Sequence, residues 1–389
     1  MKLSTRITGL TGGGSDGWDV FYRARQMIRD GIAVSELTIG EHDIRTSQDI
    51  LDAMGASARG GHTGYASVPG TGDLRDTVAA RISARTGVAT TRDNILITPG
   101  GQAALFAAHT AACDERDTAL FIDPYYATYP GTIRSVGAIP KAVPTQPKDG
   151  FQPRASDLHA AAKGAKSLLI NTPNNPTGAV YSAETLQGIA DTCHANDLWL
   201  ISDEVYDTQV WEGEHISPRA LPDMAERTLV IGSMSKSHAM TGSRVGWVCG
   251  PPEAIDHLTN LATHTTYGVP GFIQDAATFA LKQGAKAETS VSAPFARRRE
   301  ITLKALATQN LIKAVPPQGA MYVMLDIRST GLSGEAFANA LLDAHHIAVM
   351  PGESFGQAAA GHIRVAMTID DAAYETALKT LISFAQTQA

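Results

Sequence analysis

Lys236 lies in a run of small residues, Ser233-Met-Ser-Lys236-Ser-His-Ala-Met-Thr-Gly-Ser-Arg244, with an arginine eight positions on. A primary amine beside a fixed cation has a lowered pKa and becomes a nucleophile near neutral pH, which is what forming an imine with a carbonyl compound requires. Arg244 is also placed to bind an anion such as phosphate. The preceding run, Thr228-Leu-Val-Ile-Gly232, is short, apolar and β-branched. It predicts a buried strand, so Lys236 falls on the loop past that strand's C-terminal end. In an open α/β sheet this edge is where ligands bind. Most lysines are solvated surface groups, so other segments must decide whether this one reacts.

Four further segments end apolar runs and carry polar tips. Thr98-Pro-Gly100-Gly101-Gln102 puts two glycines between a strand and an amphipathic helix, so backbone N–H groups at the helix start can approach a phosphate. No Gly-Lys-Ser/Thr follows, so this is not a Walker loop. Asp123-Pro-Tyr125-Tyr126-Ala-Thr-Tyr129 follows another strand; Tyr126 is placed to stack on a planar ring, while Tyr125 and Tyr129 are expected to cap the core. Asn171-Thr-Pro-Asn-Asn175-Pro-Thr-Gly178 is a tight loop that fixes an amide side chain, which could donate to a ring oxygen. Leu198-Trp-Leu-Ile-Ser-Asp203-Glu204-Val-Tyr206 ends a strand on a carboxylate that needs a cationic partner to stay ionised. A protonated pyridine nitrogen is one such partner; a helix cap or a structural ion pair is the other reading. Together the segments describe a ligand with a phosphate, a heterocycle bearing a ring nitrogen and a ring oxygen, and an aldehyde facing a lysine. Pyridoxal 5′-phosphate has those groups.

The elements that position these residues alternate from about residue 46. Strands are predicted at 92–98, 118–122, 167–170, 198–201, 228–231 and 245–248, each apolar enough to be buried on both faces, with helices between them. After about residue 270 the texture changes: a long helix from Gln274 to about Asn310, a strand at 320–325, a helix from Gly334, and strands near 347–350 and 362–366. We therefore expect an α/β fold with a mainly parallel sheet in a large domain, residues 46–280, and a smaller α+β domain from residues 1–45 and 281–389. The proline-rich stretch from Pro140 to Pro153 is expected to be a surface connection.

The chain has 389 residues, 43% hydrophobic and 18% charged, which is a folded composition long enough for about two domains. Its 32 basic and 39 acidic residues are interspersed and sum to −7, which leaves no basic face for nucleic acid. Cys113, Cys193 and Cys249 are odd in number and far apart, so neither a disulfide framework nor a zinc site is expected, and a reducing cytoplasm fits. No stretch approaches the ~20 apolar residues of a membrane span, and no signal-peptide core is expected.

In the order Tyr65, Gly100-Gly101-Gln102, Tyr126, Asn175-Pro-Thr-Gly, Asp203-x-x-Tyr206, Ser233-x-Ser235-Lys236, Arg244 and Arg364, the chain resembles the class I/II aminotransferases of fold type I, near their aspartate aminotransferase-like branch. The resemblance implies a seven-stranded sheet and an exchange of the amino group of an L-amino acid with a 2-oxo acid. Lys236 would hold pyridoxal 5′-phosphate as a Schiff base and move the proton, and Asp203 would keep the ring nitrogen protonated. Tyr206 and Asn175 would bond the ring oxygen, Tyr126 would stack on the ring, and Gly101, Gln102, Ser233, Ser235 and Arg244 would hold the phosphate. Tyr65 would reach the partner's phosphate across a homodimer. Arg364 would take the substrate α-carboxylate in a bidentate fork, with Gly40 and Asn175 beside the substrate and Trp18 and Ile39 near its side chain. This chain reads Gly40-Glu-His42-Asp where the family usually has Gly-Glu-Pro-Asp, and Tyr126 replaces a common tryptophan. No second arginine for a side-chain carboxylate is identifiable, although Arg23 of a partner chain could serve. Two competing readings are a C–S β-lyase of the same fold and cofactor, and a Ser-x-x-Lys hydrolase at Ser233-Met-Ser-Lys236. The hydrolase lacks the downstream Ser-Asp-Asn and Lys-Thr-Gly it would need. A non-catalytic regulator would need an appended DNA-binding segment, and none fits.

Overall fold

The computed structural model describes residues 1–15 and 17–389. In chain order its strands are β1 (Ser35–Leu37), β2 (Ile95–Thr98), β3 (Thr118–Asp123), β4 (Ile139–Pro144), β5 (Ala165–Asn171), β6 (Trp199–Asp203), β7 (Thr228–Ser233), β8 (Gly246–Cys249), β9 (Lys313–Ala314), β10 (Tyr322–Asp326), β11 (Ile347–Pro351) and β12 (His362–Ala366). Seven of them form one sheet in the order β2-β8-β7-β6-β5-β3-β4, and five form a second in the order β1-β11-β12-β10-β9. In the large sheet β4, β3, β5, β6 and β7 are parallel neighbours, while β8 runs against both β7 and β2.

Successive side chains of the central strands enter opposite cores, as the period of two requires. Leu168 and Ile170 of β5 and Leu200 of β6 pack in one cluster; Leu169 and Ile201 pack in another with Ile231 and Val248 on the far face. All of these are essentially without solvent exposure, and burying each contributes about 1.5–3 kcal/mol. Such two-sided burial is why the strands read as unbroken apolar runs. Where the apolar run stops, the parallel register of β5 and β6 puts Asn171 beside Asp203, and the antiparallel register of β7 and β8 pairs Ser233 with Gly246.

The second sheet carries its own core, with Tyr322, Val323 and Leu325 of β10, Val349 of β11 and Val365 of β12 packed under Phe337, Leu341, Tyr374 and Leu381 of two helices, Gly334–His345 and Asp371–Gln388. The N-terminal turn Thr5–Thr8 instead leads to the large sheet, where Arg134 donates to the Leu10 carbonyl at 3.0 Å.

Three expectations change. The stretch read as a surface connection contains β4, an edge strand that holds Pro140 and Pro144 because its outer side has no neighbour requiring an N–H. The strand expected from Arg92 starts at Ile95, after a 3₁₀ turn over Arg92–Asn94. The single long helix is two, Gly271–Lys282 and Ala285–Leu306, broken at Gly284, whose φ of 70° interrupts the helix. Among the described residues no helix is long and apolar enough to cross a membrane.

Three of the buried imidazoles are shifted downward. Burial pushes His42 down to about 3 and His109 and His238 to about 4. Each is neutral in the fold and takes its proton only on unfolding. Their contribution is therefore complete above the unfolded value of about 6.5 and is lost as pH falls toward the folded values. Burial raises Asp123 and Asp203 to about 6, which acts in the opposite sense over the same window. Burial would lower His215, but its hydrogen bond to Glu204 raises it, so it too acts in the opposite sense. The three lowered histidines outweigh these groups, and we expect the apoprotein to lose stability between about pH 7.5 and pH 5. Urea midpoints at the two pH values measure this; an unchanged or higher midpoint at pH 5 would show that the histidines do not outweigh the opposing groups.

Candidate active site

The polar strand tips surround a cavity of about 280 Å³ whose lining includes Lys236, Asp203, Tyr206, Asn175, Arg244 and Arg364. Gly40, Gly101, Gln102, Tyr126, Ser233 and Ser235 line it too, as do Trp18 and Ile39. Of the residues that the resemblance assigns to the cofactor, Tyr65 stands apart from this lining. It is 92% exposed and packs edge-on against Tyr267 at 5.2 Å.

Lys236 sits in the one-turn helix Met234–Ser237 directly after β7, where Ser233 caps the turn by accepting from the Ser235 N–H at 3.1 Å. Its Nζ donates to the Gly40 carbonyl. The amine's pKa is lowered, first by burial, with Arg364 and Arg244 assisting and the Tyr322 and Glu41 charges opposing. Arg244, expected from the sequence to be the cause, has the smaller effect, and desolvation dominates. A Ser–Lys dyad does not form: the Ser233 Oγ donates to the Val245 carbonyl at 3.4 Å, and the lysine points to Gly40 instead.

Asp203 ends β6 and is 4% exposed. Its Oδ2 accepts from the Tyr129 hydroxyl at 2.7 Å and its Oδ1 from the Val205 N–H at 3.3 Å. Burial raises the carboxyl to about 6 despite those bonds. Among the described residues it has no ion-pair partner, so the cavity contains a buried carboxylate short of a cation. Tyr129 is a correction: expected only to cap the core, it holds this carboxylate. Asn171 was also missed as a site residue. It donates to the Asp203 carbonyl at 2.9 Å and accepts from the Asn175 N–H at 2.7 Å, tying the tips of β5 and β6 together. Both residues lie in segments that had already been singled out, but their partners are on other strands.

Arg364 on β12 is the mirror case. It is 1% exposed, with Tyr322 and Phe355 rings 4.4 and 4.2 Å from its guanidinium carbon. Nη1 donates to the Asn175 Oδ1 at 2.8 Å and Nη2 to the Thr38 carbonyl, while the buried Nε has no partner. No carboxylate pairs with it among the described residues, so it is a buried cation short of an anion. With its Oδ1 taken by Arg364, Asn175 keeps its NH₂ to donate. Tyr206, on the turn after β6, shares a 3.0 Å hydrogen bond with Tyr322.

At the other end of the cavity Gly100 precedes the helix Gly101–Ala112 with φ 82°. A Cβ there would run into the Arg244 guanidinium, so only glycine lets the arginine lie against the helix start. Arg244 is itself held by donating to the Thr241 carbonyl at 2.8 Å. Gly101 N–H, Ser233, Ser235 and Arg244 thus make a cradle suited to a phosphate. The Gln102 side chain is committed to Thr128 and Thr132 at 3.1 and 2.7 Å, which leaves its backbone for the cradle. Tyr126, whose hydroxyl burial pushes up to about 12, forms part of the wall. Arg23 does not reach the cavity of its own chain; it bonds Asp343 and, at 3.1 Å, Asn339.

A family model described as aminotransferase class I and II matches residues 32–381. An arginine–pyruvate transaminase of Pseudomonas aeruginosa is 39% identical over 370 residues, covering 95% of this chain and 94% of that protein. An aspartate/prephenate aminotransferase of Thermus thermophilus is 34% identical over 369 residues, 94% of this chain and 93% of that one. Among solved structures, aspartate aminotransferase from Thermus thermophilus with maleate matches at a TM-score of 0.92 and 33% identity, covering 99% of both chains.

Proposed function

Because this chain belongs to the class I and II aminotransferases, enzymes that exchange an amino group between an amino acid and a 2-oxo acid, we propose that its cavity holds pyridoxal 5′-phosphate on Lys236 and an L-amino acid on Arg364. One observation carries the reading. A single cavity brings together a buried carboxylate lacking a cation, a buried guanidinium lacking an anion and a desolvated amine. A ligand set with a protonated ring nitrogen, an α-carboxylate and an aldehyde satisfies all three.

When bound, the cofactor supplies an electron sink for the pair released at the substrate's α-carbon. The chain's residues do the rest. Asp203, oriented by Tyr129 and Asn171, keeps the proton on the ring nitrogen. The Asn175 amide and the Tyr206 hydroxyl donate to the ring oxygen. Gly101, Gln102, Ser233, Ser235 and Arg244 hold the phosphate, and Tyr126 walls the ring. Arg364 binds the α-carboxylate in a fork, with Gly40 alongside, and so fixes the α-carbon within the reach of Lys236. Lys236, its pKa lowered by burial, would be the group that takes up and moves the α-proton.

The exposure of Tyr65 supports a homodimer in which it completes the partner's phosphate site. Three buried, unpaired thiols support a reducing, cytoplasmic setting. The amino donor is approached through Trp18 and Ile39, and arginine belongs among the donors tested, given the Pseudomonas relative. Each L-amino acid is added to the holoenzyme while the cofactor absorbance is followed. At least one donor is expected to convert it stoichiometrically, and a 2-oxo acid such as pyruvate to restore it. Borohydride reduction and peptide mapping should place the cofactor on Lys236; an adduct at another lysine would overturn the assignment.

A further inference from the structure

Beneath the cavity lies a layer of buried charge that the reaction does not touch. Arg81 and Arg85, one turn apart on the helix Gly72–Thr86, both bind the same two acids. Arg81 donates to the Asp207 Oδ2 at 2.7 Å and to the Glu288 Oε1 at 3.0 Å; Arg85 donates to the Asp207 Oδ2 at 2.8 Å and to the Glu288 Oε2 at 2.7 Å. The four side chains close a ring that joins three elements: the helix bearing the arginines, the turn after β6, and the helix Ala285–Leu306 that carries Glu288.

Asp207 directly follows Tyr206, and the turn it belongs to has two faces. Asp203 and Tyr206, three residues apart, line the cavity; Glu204 and Asp207, also three apart, enter the charged layer. Glu204 is bound by Ser202 at 2.9 Å, Ser217 at 2.8 Å and His215 at 3.0 Å. The turn is closed by the Asp207 N–H to the Glu204 carbonyl at 3.0 Å and the Gln209 N–H to the Tyr206 carbonyl at 2.8 Å. Gln209 then donates to the Lys236 carbonyl at 3.3 Å. A second cavity of about 270 Å³, lined by Arg81, Arg85, Glu204, Asp207 and His215, underlies the turn. On this face the ion pairs fasten Asp207, while on the other face Tyr206 is buried and bonded to Tyr322.

We propose that Asp207, clamped by Arg81 and Arg85 with Glu288 closing the ring, is a positioning residue that sets the height of the Tyr206 hydroxyl over the cofactor site. It touches neither substrate nor cofactor and acts through the backbone of the turn. The proposal rests on the reading of Tyr206 as a donor to the ring oxygen.

The test is a double-mutant cycle on the holoenzyme, read as the pH midpoint of the bound cofactor's visible absorbance. A hydroxyl that donates to the ring oxygen favours the more negatively charged, deprotonated form, so losing it raises the midpoint. Tyr206→Phe should raise it by about half a unit to one unit, the scale of one hydrogen bond. Asp207→Asn should raise it in the same direction, and should add nothing in the Tyr206→Phe background. Melting temperature is followed alongside, because a structural role alone lowers it without moving the midpoint. Asp207→Asn at the wild-type midpoint, with Tyr206→Phe shifted, overturns the proposal alone, as does a full additive shift in the double variant. Tyr206→Phe at the wild-type midpoint overturns the reading of Tyr206 and the proposal with it. Should Asp207→Asn fail to fold, Glu288→Gln opens the ring while leaving both arginines on Asp207. It is expected to give a smaller shift of the same sign, and no shift overturns the proposal.

Discussion

Lys236→Ala is expected to reduce transamination by about 10⁴-fold or more, because one side chain both carries the cofactor and moves the proton. The cofactor should still bind without a covalent link, since the helix start at Gly101, Ser233, Ser235 and Arg244 remains, as does Asp203. Absorbance and equilibrium dialysis test binding, and single-turnover assays with the best donor test the chemistry. The fold should survive, because the alanine removes an amine whose burial is already unfavourable to its charge. Near wild-type turnover in this variant would mean that another group moves the proton, and the reading of the site would fall.

Arg364→Ala is expected to lower kcat/KM by about 10²- to 10³-fold or more for every amino acid, the cost of leaving a carboxylate without its forked cation in a buried site. Arg364→Lys separates charge from geometry. An ammonium keeps the positive charge between the Tyr322 and Phe355 rings but cannot bond Asn175, the Thr38 carbonyl and a carboxylate together. It should recover part of the loss and leave most of the orientation defect. A loss confined to one donor would show that Arg364 reads a side chain and that the α-carboxylate lies elsewhere. Because Arg364 also bonds Asn175, its removal frees that amide to rotate, so some of the defect should appear in kcat as well as in KM.

Much of the fold is legible in the sequence alone. The central strands were readable because two-sided burial produces unbroken apolar runs, and the chemistry was readable because each run ends on a distinctive tip: Asn171 to Gly178, Asp203 to Tyr206, and Ser233 to Lys236. The misses share a cause. Pro140 and Pro144 spoke against a strand, but a sheet edge tolerates proline, and whether a strand lies at an edge is a property of the sheet order. Tyr129 was placed correctly after β3, yet its role depended on the carboxylate of a strand far along the chain.

The sequence by itself determined the fold class and placed the lysine, the carboxylate and Arg244 at strand ends, because local hydrophobic periodicity and strand-end chemistry are written in consecutive residues, whereas Arg364 was singled out only by the family resemblance. Only the tertiary structure decided how they are tuned. Burial more than Arg244 depresses Lys236, Tyr129 holds Asp203, Thr38, Asn175, Tyr322 and Phe355 enclose Arg364, and Arg81, Arg85 and Glu288 brace Asp207. Desolvation and ion pairing depend on which distant segments become neighbours, and that is set by the order of strands in the sheets and the packing of helices between them.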